Sequence, residues 1–136
     1  MTIYCNFKGI IICTKSSLPT GLKTAGDLIL EAQESVSCVD VESAKKLYED
    51  SSNVMILDVR ESDSVAKSKL SGSTNISRGL LEMKLPNICS DPDTVILIHC
   101  GGGGRASLAA LTLQTMGYNN VHAITAPYDD IKSTFG

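Results

Sequence analysis

Two unbroken apolar runs stand out along the chain, Val54-Met55-Ile56-Leu57 and Val95-Ile96-Leu97-Ile98. Runs that are apolar at every position, not at alternate ones, predict parallel strands covered on both faces. The first run follows Asn53 and ends in Asp58. The second follows the turn signal Asp91-Pro92-Asp93. Shorter strands are predicted near Ser37–Val39, Thr74–Ile76 and Val121–Ile124. The segments between them carry helical signals. Thr24 can cap a first helix through Leu28, Ile29 and Ala32, with Asp27 as an acidic form of the capping box. Asp40 is an N-cap for a second, which carries Val41, Ala44, Leu47 and Tyr48 on one face. Glu61–Lys69 reads as a polar helix and Arg78–Met83 as another. Ala106, Ala109, Ala110, Leu113 and Met116 recur at helical spacing, and Gly117 supplies the stop. Pro127 opens a final short helix. Strand and helix alternate, which predicts an α/β fold: a three-layer open sheet of about five mostly parallel strands with helices on both faces.

Residues 1–23 show no such period. Ser16, Ser17, Pro19 and Gly21 form a turn-rich cluster there, so residues 1–23 read as a tail or linker and residues 24–136 as the domain. Ile10-Ile11-Ile12-Cys13 is too brief for a signal-peptide core or a bilayer span. No other stretch approaches about 18 apolar residues, so a cytoplasmic protein without a membrane partner is expected. The 136 residues suit one domain with a real core. A net charge of −3 and the lack of Trp argue against nucleic acid as a partner. The five cysteines, Cys5, Cys13, Cys38, Cys89 and Cys100, are odd in number and widely spaced, with no CxxC pair. That disfavours zinc ribbons and thioredoxin-like motifs and suits a reducing compartment. No metal or cofactor is expected.

The candidate chemistry lies in Ile98-His99-Cys100-Gly101-Gly102-Gly103-Gly104-Arg105-Ala106, which joins a buried strand to an amphipathic helix. In open α/β sheets ligands bind just beyond the carboxyl ends of strands. Four glycines leave the backbone free to turn several N–H groups inward as an anion nest. The helix N-terminus adds partial positive charge, and Arg105 a full one. Such settings favour thiolate, which makes Cys100 a candidate nucleophile that needs no general base. The same loop would stabilise a persulfide or an oxyanion. A phosphate-binding loop fails for want of Gly-Lys-Ser/Thr. Gly101-Gly102-Gly103 followed by Ala106 fits G-x-G-x-x-A, but the acidic residue expected about 20 residues on has no strand-end candidate. His99 should face away from Cys100 and pack. His122 and the other cysteines carry no companion motif.

Cys100-x4-Arg105-Ala106-Ser107 resembles the active loop of single-domain rhodaneses, the thiosulfate:thiol/cyanide sulfurtransferases. Three further stretches are similar, in the family's order: Ile56-Leu57-Asp58-Val59-Arg60-Glu61, then Asn75-Ile76-Ser77-Arg78-Gly79-Leu80-Leu81-Glu82, then Leu113-Gln114-Thr115-Met116-Gly117-Tyr118-Asn119-Asn120-Val121. The resemblance covers about residues 25–130 and implies a rhodanese-like fold. It implies that Cys100 and Arg105 are catalytic, with Arg105 and the backbone of Gly101, Gly102, Gly103 and Gly104 holding the substrate. It implies structural support from Asp58 and Arg60. The partners it implies are a small anionic sulfur donor and a thiol or cyanide acceptor, with a protein acceptor as a further option. Other readings are a weakly active or inactive binding or sulfur-delivery module, and phosphatase or arsenate reductase chemistry. The related phosphatases of this fold carry one more residue between Cys and Arg. Two segments depart from the family's usual form: Ser68-Lys69-Leu70-Ser71-Gly72-Ser73, where only Gly72 matches, and Thr125-Ala126-Pro127-Tyr128.

Overall fold

The computed structural model describes residues 21–136 and, before them, the backbone of two short strands, β1 (Asn6–Phe7) and β2 (Ile10–Ile11), which pair antiparallel. The remainder of the 1–23 segment, Cys5 and Cys13 included, lies outside the described residues.

From Ala25 onward helices and strands alternate: α1 (Ala25–Ser35), β3 (Ser37–Val39), α2 (Val41–Asp50), β4 (Val54–Asp58), α3 (Ser62–Lys67) and β5 (Ser73–Asn75). A 3-10 turn (Arg78–Leu80) leads into α4 (Leu81–Ile88), followed by β6 (Val95–His99), α5 (Gly104–Met116), β7 (Val121–Ile124) and α6 (Tyr128–Phe135). The five strands β3 to β7 form one sheet in the order β3-β7-β6-β4-β5, and every pair in it is parallel. The two apolar runs are neighbours at its centre, with Ile56 opposite Leu97 and Asp58 opposite His99.

Their continuous apolarity has a direct cause. Along β6, Ile96 and Ile98 enter one core with Leu57, Ala106, Ala109, Ala110 and Leu113. Val95 and Leu97 enter a second core with Ile56, Val41, Ala44 and Ile131. A strand with helices on both sides has no polar face to show. Helices α1 and α4 pack on α5 over the first core, and α2 packs on α6 over the second. No described helix is long and apolar enough to cross a membrane.

The capping signals are used as read. Thr24 Oγ1 accepts from Asp27 N–H at 3.0 Å while Asp27 accepts from Thr24 N–H at 2.9 Å. Asp40 accepts from Ser43 N–H at 2.8 Å. Gly117 closes α5 at φ +108°, a left-handed turn that suits glycine.

Three boundaries differ from expectation. Helix α3 stops at Lys67, short of Lys69, because Ser68 is extended and its carbonyl accepts from Arg60 Nη2 at 2.7 Å. Strand β5 lies one residue earlier than the predicted Thr74–Ile76: Ile76 N–H still bonds Asp58 O of β4 at 3.0 Å, but β4 ends at Asp58, so no β4 residue stands opposite Ile76. The predicted Arg78–Met83 helix is a 3-10 turn continued by α4, which runs through Pro86. Pro86 is exposed, so the carbonyl it leaves unbonded within the helix can reach water.

Candidate active site

Because every crossover is parallel, β4, β6 and β7 all end on the same edge of the sheet, and the Cys100–Gly103 loop opens there at the end of β6. Cys100 Sγ receives a hydrogen bond from Gly103 N–H at 3.1 Å, so the sulfur faces the loop. Of the loop amides, this is the one within hydrogen-bond distance of the sulfur; the expected ring of several contracts to one donor. The residue is 1 % exposed and packs with Val59, Ile98 and Ala106.

The four glycines differ in what holds them. Gly103 sits at φ +103°, and a Cβ there would lie 3.1 Å from the backbone Cα of Thr125. Both facts demand glycine. A Cβ on Gly104 would lie 2.8 Å from Ile29 Cδ1 of α1. Gly101 and Gly102 are exposed; a Cβ on Gly102 would meet nothing within 4 Å, and one on Gly101 only Arg105 Nη2 at 3.6 Å. Arg105 is therefore an exposed side chain whose guanidinium reaches back over Gly101. Among the described residues it forms no ion pair, so its charge is available at the loop's mouth.

The loop is held from two sides. On one, Tyr128 N–H donates to Gly101 O at 3.0 Å. On the other, Gly103 O accepts from Ser107 N–H at 3.0 Å and from Ser107 Oγ at 2.7 Å.

Asp58 and Arg60 lie beside the loop, at the end of β4. Arg60 donates Nε to Asp58 Oδ1 at 3.1 Å and Nη2 to Oδ2 at 2.8 Å, and Arg60 N–H also reaches Oδ1 at 2.9 Å. The hydrogen bond to Asp58 raises the guanidinium's pKa, against the pull of burial. Arg60 Cζ stacks 4.1 Å from the Tyr128 ring centroid, a cation–π contact, and Tyr128 Oη shares a 2.7 Å hydrogen bond with Ser68 Oγ. Asn75 Nδ2 donates to the carbonyls of Asp58 and Arg60, each at 2.9 Å. Thus the Asp58–Arg60 pair touches the loop through Tyr128, which the sequence marks only as part of a departure from the family's usual form and not as a site residue. The signal was an aromatic directly after Pro127 at the end of the last strand.

His99 points into this buried cluster, on the opposite side of the sheet from Cys100. Its ring stands 5.9 Å from that of Tyr128, and its Nε2 is 3.8 Å from Asp58 Oδ2, beyond hydrogen-bond distance. Neither ring nitrogen has a partner among the described residues. Burial pushes its pKa down to about 4, against the pull of the Asp58 charge. An unfolded histidine titrates near 6.5, so the unfolded chain takes up a proton that the folded chain refuses. The neutral ring's contribution is present in full above about pH 6.5 and is lost as pH falls toward about 4. Between pH 7 and 4.5 the wild type is expected to lose about 2–3 kcal/mol more than His99→Phe, read by urea unfolding. Equal losses in the two proteins would remove His99 from the account. His122 bonds Ser37 Oγ at 2.7 Å and Asn120 Oδ1 at 2.6 Å on the sheet's other flank. Cys38 lies in β3, and Cys89 is a free thiol. Cys89 lies at the end of α4, behind β4 and β6 and away from the loop.

Known proteins resemble this chain in sequence and fold. The model of the Rhodanese-like domain matches residues 40–134. The "Putative sulfur carrier protein YrkF" of Bacillus subtilis is 29% identical over 100 residues, covering 74% of this chain and 53% of that protein. The chain therefore spans about half the length of that curated relative. Among solved structures, RPA3614 of Rhodopseudomonas palustris, described as a protein of unknown function and "Possible Tyrosine Phosphatase", superposes with a TM-score of 0.74 at 27% identity, covering 88% of this chain and 98% of that one. The polysulfide-sulfur transferase of Wolinella succinogenes superposes with a TM-score of 0.63 at 25% identity, covering 75% and 77%. The family match takes in every strand of the sheet except β3, together with the whole Cys100 loop, and this chain belongs to the rhodanese-like domain family.

Proposed function

We propose that the protein is a sulfurtransferase that carries sulfane sulfur on Cys100. The observation that carries this reading is the Cys100 sulfur at the end of the central strand, turned toward the loop and bonded by Gly103 N–H at 3.1 Å. The sulfur-related descriptions of two relatives support it.

In the first half-reaction the Cys100 thiolate attacks the outer sulfur of thiosulfate or of a persulfide. The donor's S–S bond breaks, its electron pair leaves with sulfite or a thiolate, and a Cys100 persulfide remains. In the second, a thiol or cyanide attacks that outer sulfur and the Cys100 thiolate is released. Charge on sulfur is common to every stage, and the Gly103 amide and Arg105 are placed to stabilise it. Two half-reactions through a covalent form predict ping-pong kinetics.

The burial of Cys100 favours a second reading of the same chemistry, a module that loads slowly and delivers sulfur to a partner protein. A donor reaches the sulfur past Gly101 and Gly102, the exposed residues of the loop. The four-residue gap between Cys100 and Arg105 favours sulfur over phosphate as the group held.

The test is the intact mass of the protein after incubation with excess thiosulfate or polysulfide. An adduct of one sulfur, about 32 Da, removed by cyanide as thiocyanate, is expected. No adduct from either donor, together with steady phosphate release from an aryl phosphate, would replace sulfur transfer by hydrolysis.

A further inference from the structure

Helix α1 lies before the residues that match the rhodanese-like domain, yet it reaches the loop. Gln33, on its inner face, is 6 % exposed. Its Nε2 donates to Ser107 Oγ at 3.1 Å, and Ser107 Oγ donates to Gly103 O at 2.7 Å. Gly103 N–H in turn bonds the Cys100 sulfur. A relay of three hydrogen bonds therefore runs from α1 to the candidate nucleophile. One turn earlier on α1, Ile29 packs against Gly104.

The directions of the relay are set by its members. The serine has one proton, spent on Gly103 O, so its oxygen can only accept from Gln33, which presents its amide nitrogen. That leaves Gln33 Oε1 buried with no partner among the described residues. An unsatisfied buried carbonyl costs stability, so a glutamine chosen for packing alone is a poor choice here. Methionine has similar length, fills the same space and leaves nothing unpaired.

We propose that Gln33 is a positioning residue for sulfur transfer: through Ser107 it anchors the Gly103 carbonyl, and so fixes the φ and ψ of Gly103 that keep its N–H, on the neighbouring peptide, aimed at Cys100 Sγ. This rests on the sulfur-transfer reading of Cys100. Gly103 is the residue at positive φ, whose angles decide where that N–H points, and glycine alone has little preference for them. Gln33 touches neither donor nor acceptor. Its effect falls on the rate of sulfur loading and not on the donor concentration that half-saturates it.

The experiment compares the full chain with Gln33→Met, Ser107→Ala and the double variant. Three quantities are read: the rate of Cys100 loading from thiosulfate, the thermal midpoint, and the hydrogen-exchange rate of the Gly103 amide by NMR. Gln33→Met is expected to load about tenfold more slowly, with half-saturation unchanged within about twofold. Its thermal midpoint is expected to stay level or rise, because the orphaned carbonyl is gone. Gly103 exchange should speed up about tenfold. The double variant should be no slower than Ser107→Ala by more than about twofold, since both act through one bond. Loading at the wild-type rate, slowing only in proportion to lost stability, or unchanged Gly103 exchange would each overturn the inference. If the wild type takes up no sulfur, the sulfur-transfer reading fails by itself, and Gly103 exchange still decides whether Gln33 holds the loop.

Discussion

In Cys100→Ser, sulfur uptake is expected to fall by at least about 10³-fold while the fold survives. A serine hydroxyl is a useful nucleophile only when a base removes its proton, and among the described residues no base is bonded to this position. His99 faces Asp58 and Tyr128 from the other side of the sheet, and the one hydrogen bond to the sulfur comes from a donor, Gly103 N–H. Cysteine depends on a base far less, because sulfur is intrinsically the better nucleophile and a thiol gives up its proton more readily than a hydroxyl. The structural cost is small by comparison. Serine is slightly smaller than cysteine, and its oxygen can accept the Gly103 N–H that the sulfur now accepts. Intact mass after donor treatment reads the first quantity and circular dichroism the second. Uptake by Cys100→Ser within about tenfold of wild type would move the chemistry to another thiol, Cys89 or Cys38 among the described residues.

The largest loss of stability is expected from Asp58→Ala, about 3–5 kcal/mol by urea unfolding. The Asp58 side chain is 0 % exposed and that of Arg60 7 %. Removing the carboxylate strands a guanidinium in the interior, where it keeps Ser68 O as a hydrogen-bond partner and the Tyr128 ring as a cation–π surface. Against a typical total of about 5–15 kcal/mol, such a loss leaves the variant close to unfolding. Replacing both residues together, as in Asp58→Leu/Arg60→Met, should recover much of it, since breaking a buried pair costs more than omitting one. A loss below about 1 kcal/mol in Asp58→Ala would show that water reaches the guanidinium freely. Loading by Cys100 should fall with it, because Tyr128 links this cluster to Gly101 O.

The architecture was readable because it rests on local signals. Two short, fully apolar runs bounded by turn and polar residues suit buried strands, and Thr24, Asp40, Gly117 and Pro127 mark where helices begin and end. The loop was readable too, since strand, Cys100, glycines and Arg105 are contiguous. What escaped is what tertiary contact decides. Gln33 meets Ser107 across 74 positions, and Tyr128 meets Ser68 across 60; neither pair has a local pattern. The end of α3 escaped for the same reason, because Arg60 captures the Ser68 carbonyl. The number of amides facing the sulfur also depends on angles that four identical glycines do not encode.

Those glycines have unequal freedom. Thr125 and Ile29 crowd positions 103 and 104, whereas position 102 faces open space, position 101 would meet only the Arg105 guanidinium, and neither has a positive φ. The outer half of the loop can therefore be rewritten residue by residue, away from the crowding that fixes positions 103 and 104. Charge or bulk introduced at 101 and 102 becomes a dial for donor choice, and the scaffold beneath tolerates each setting.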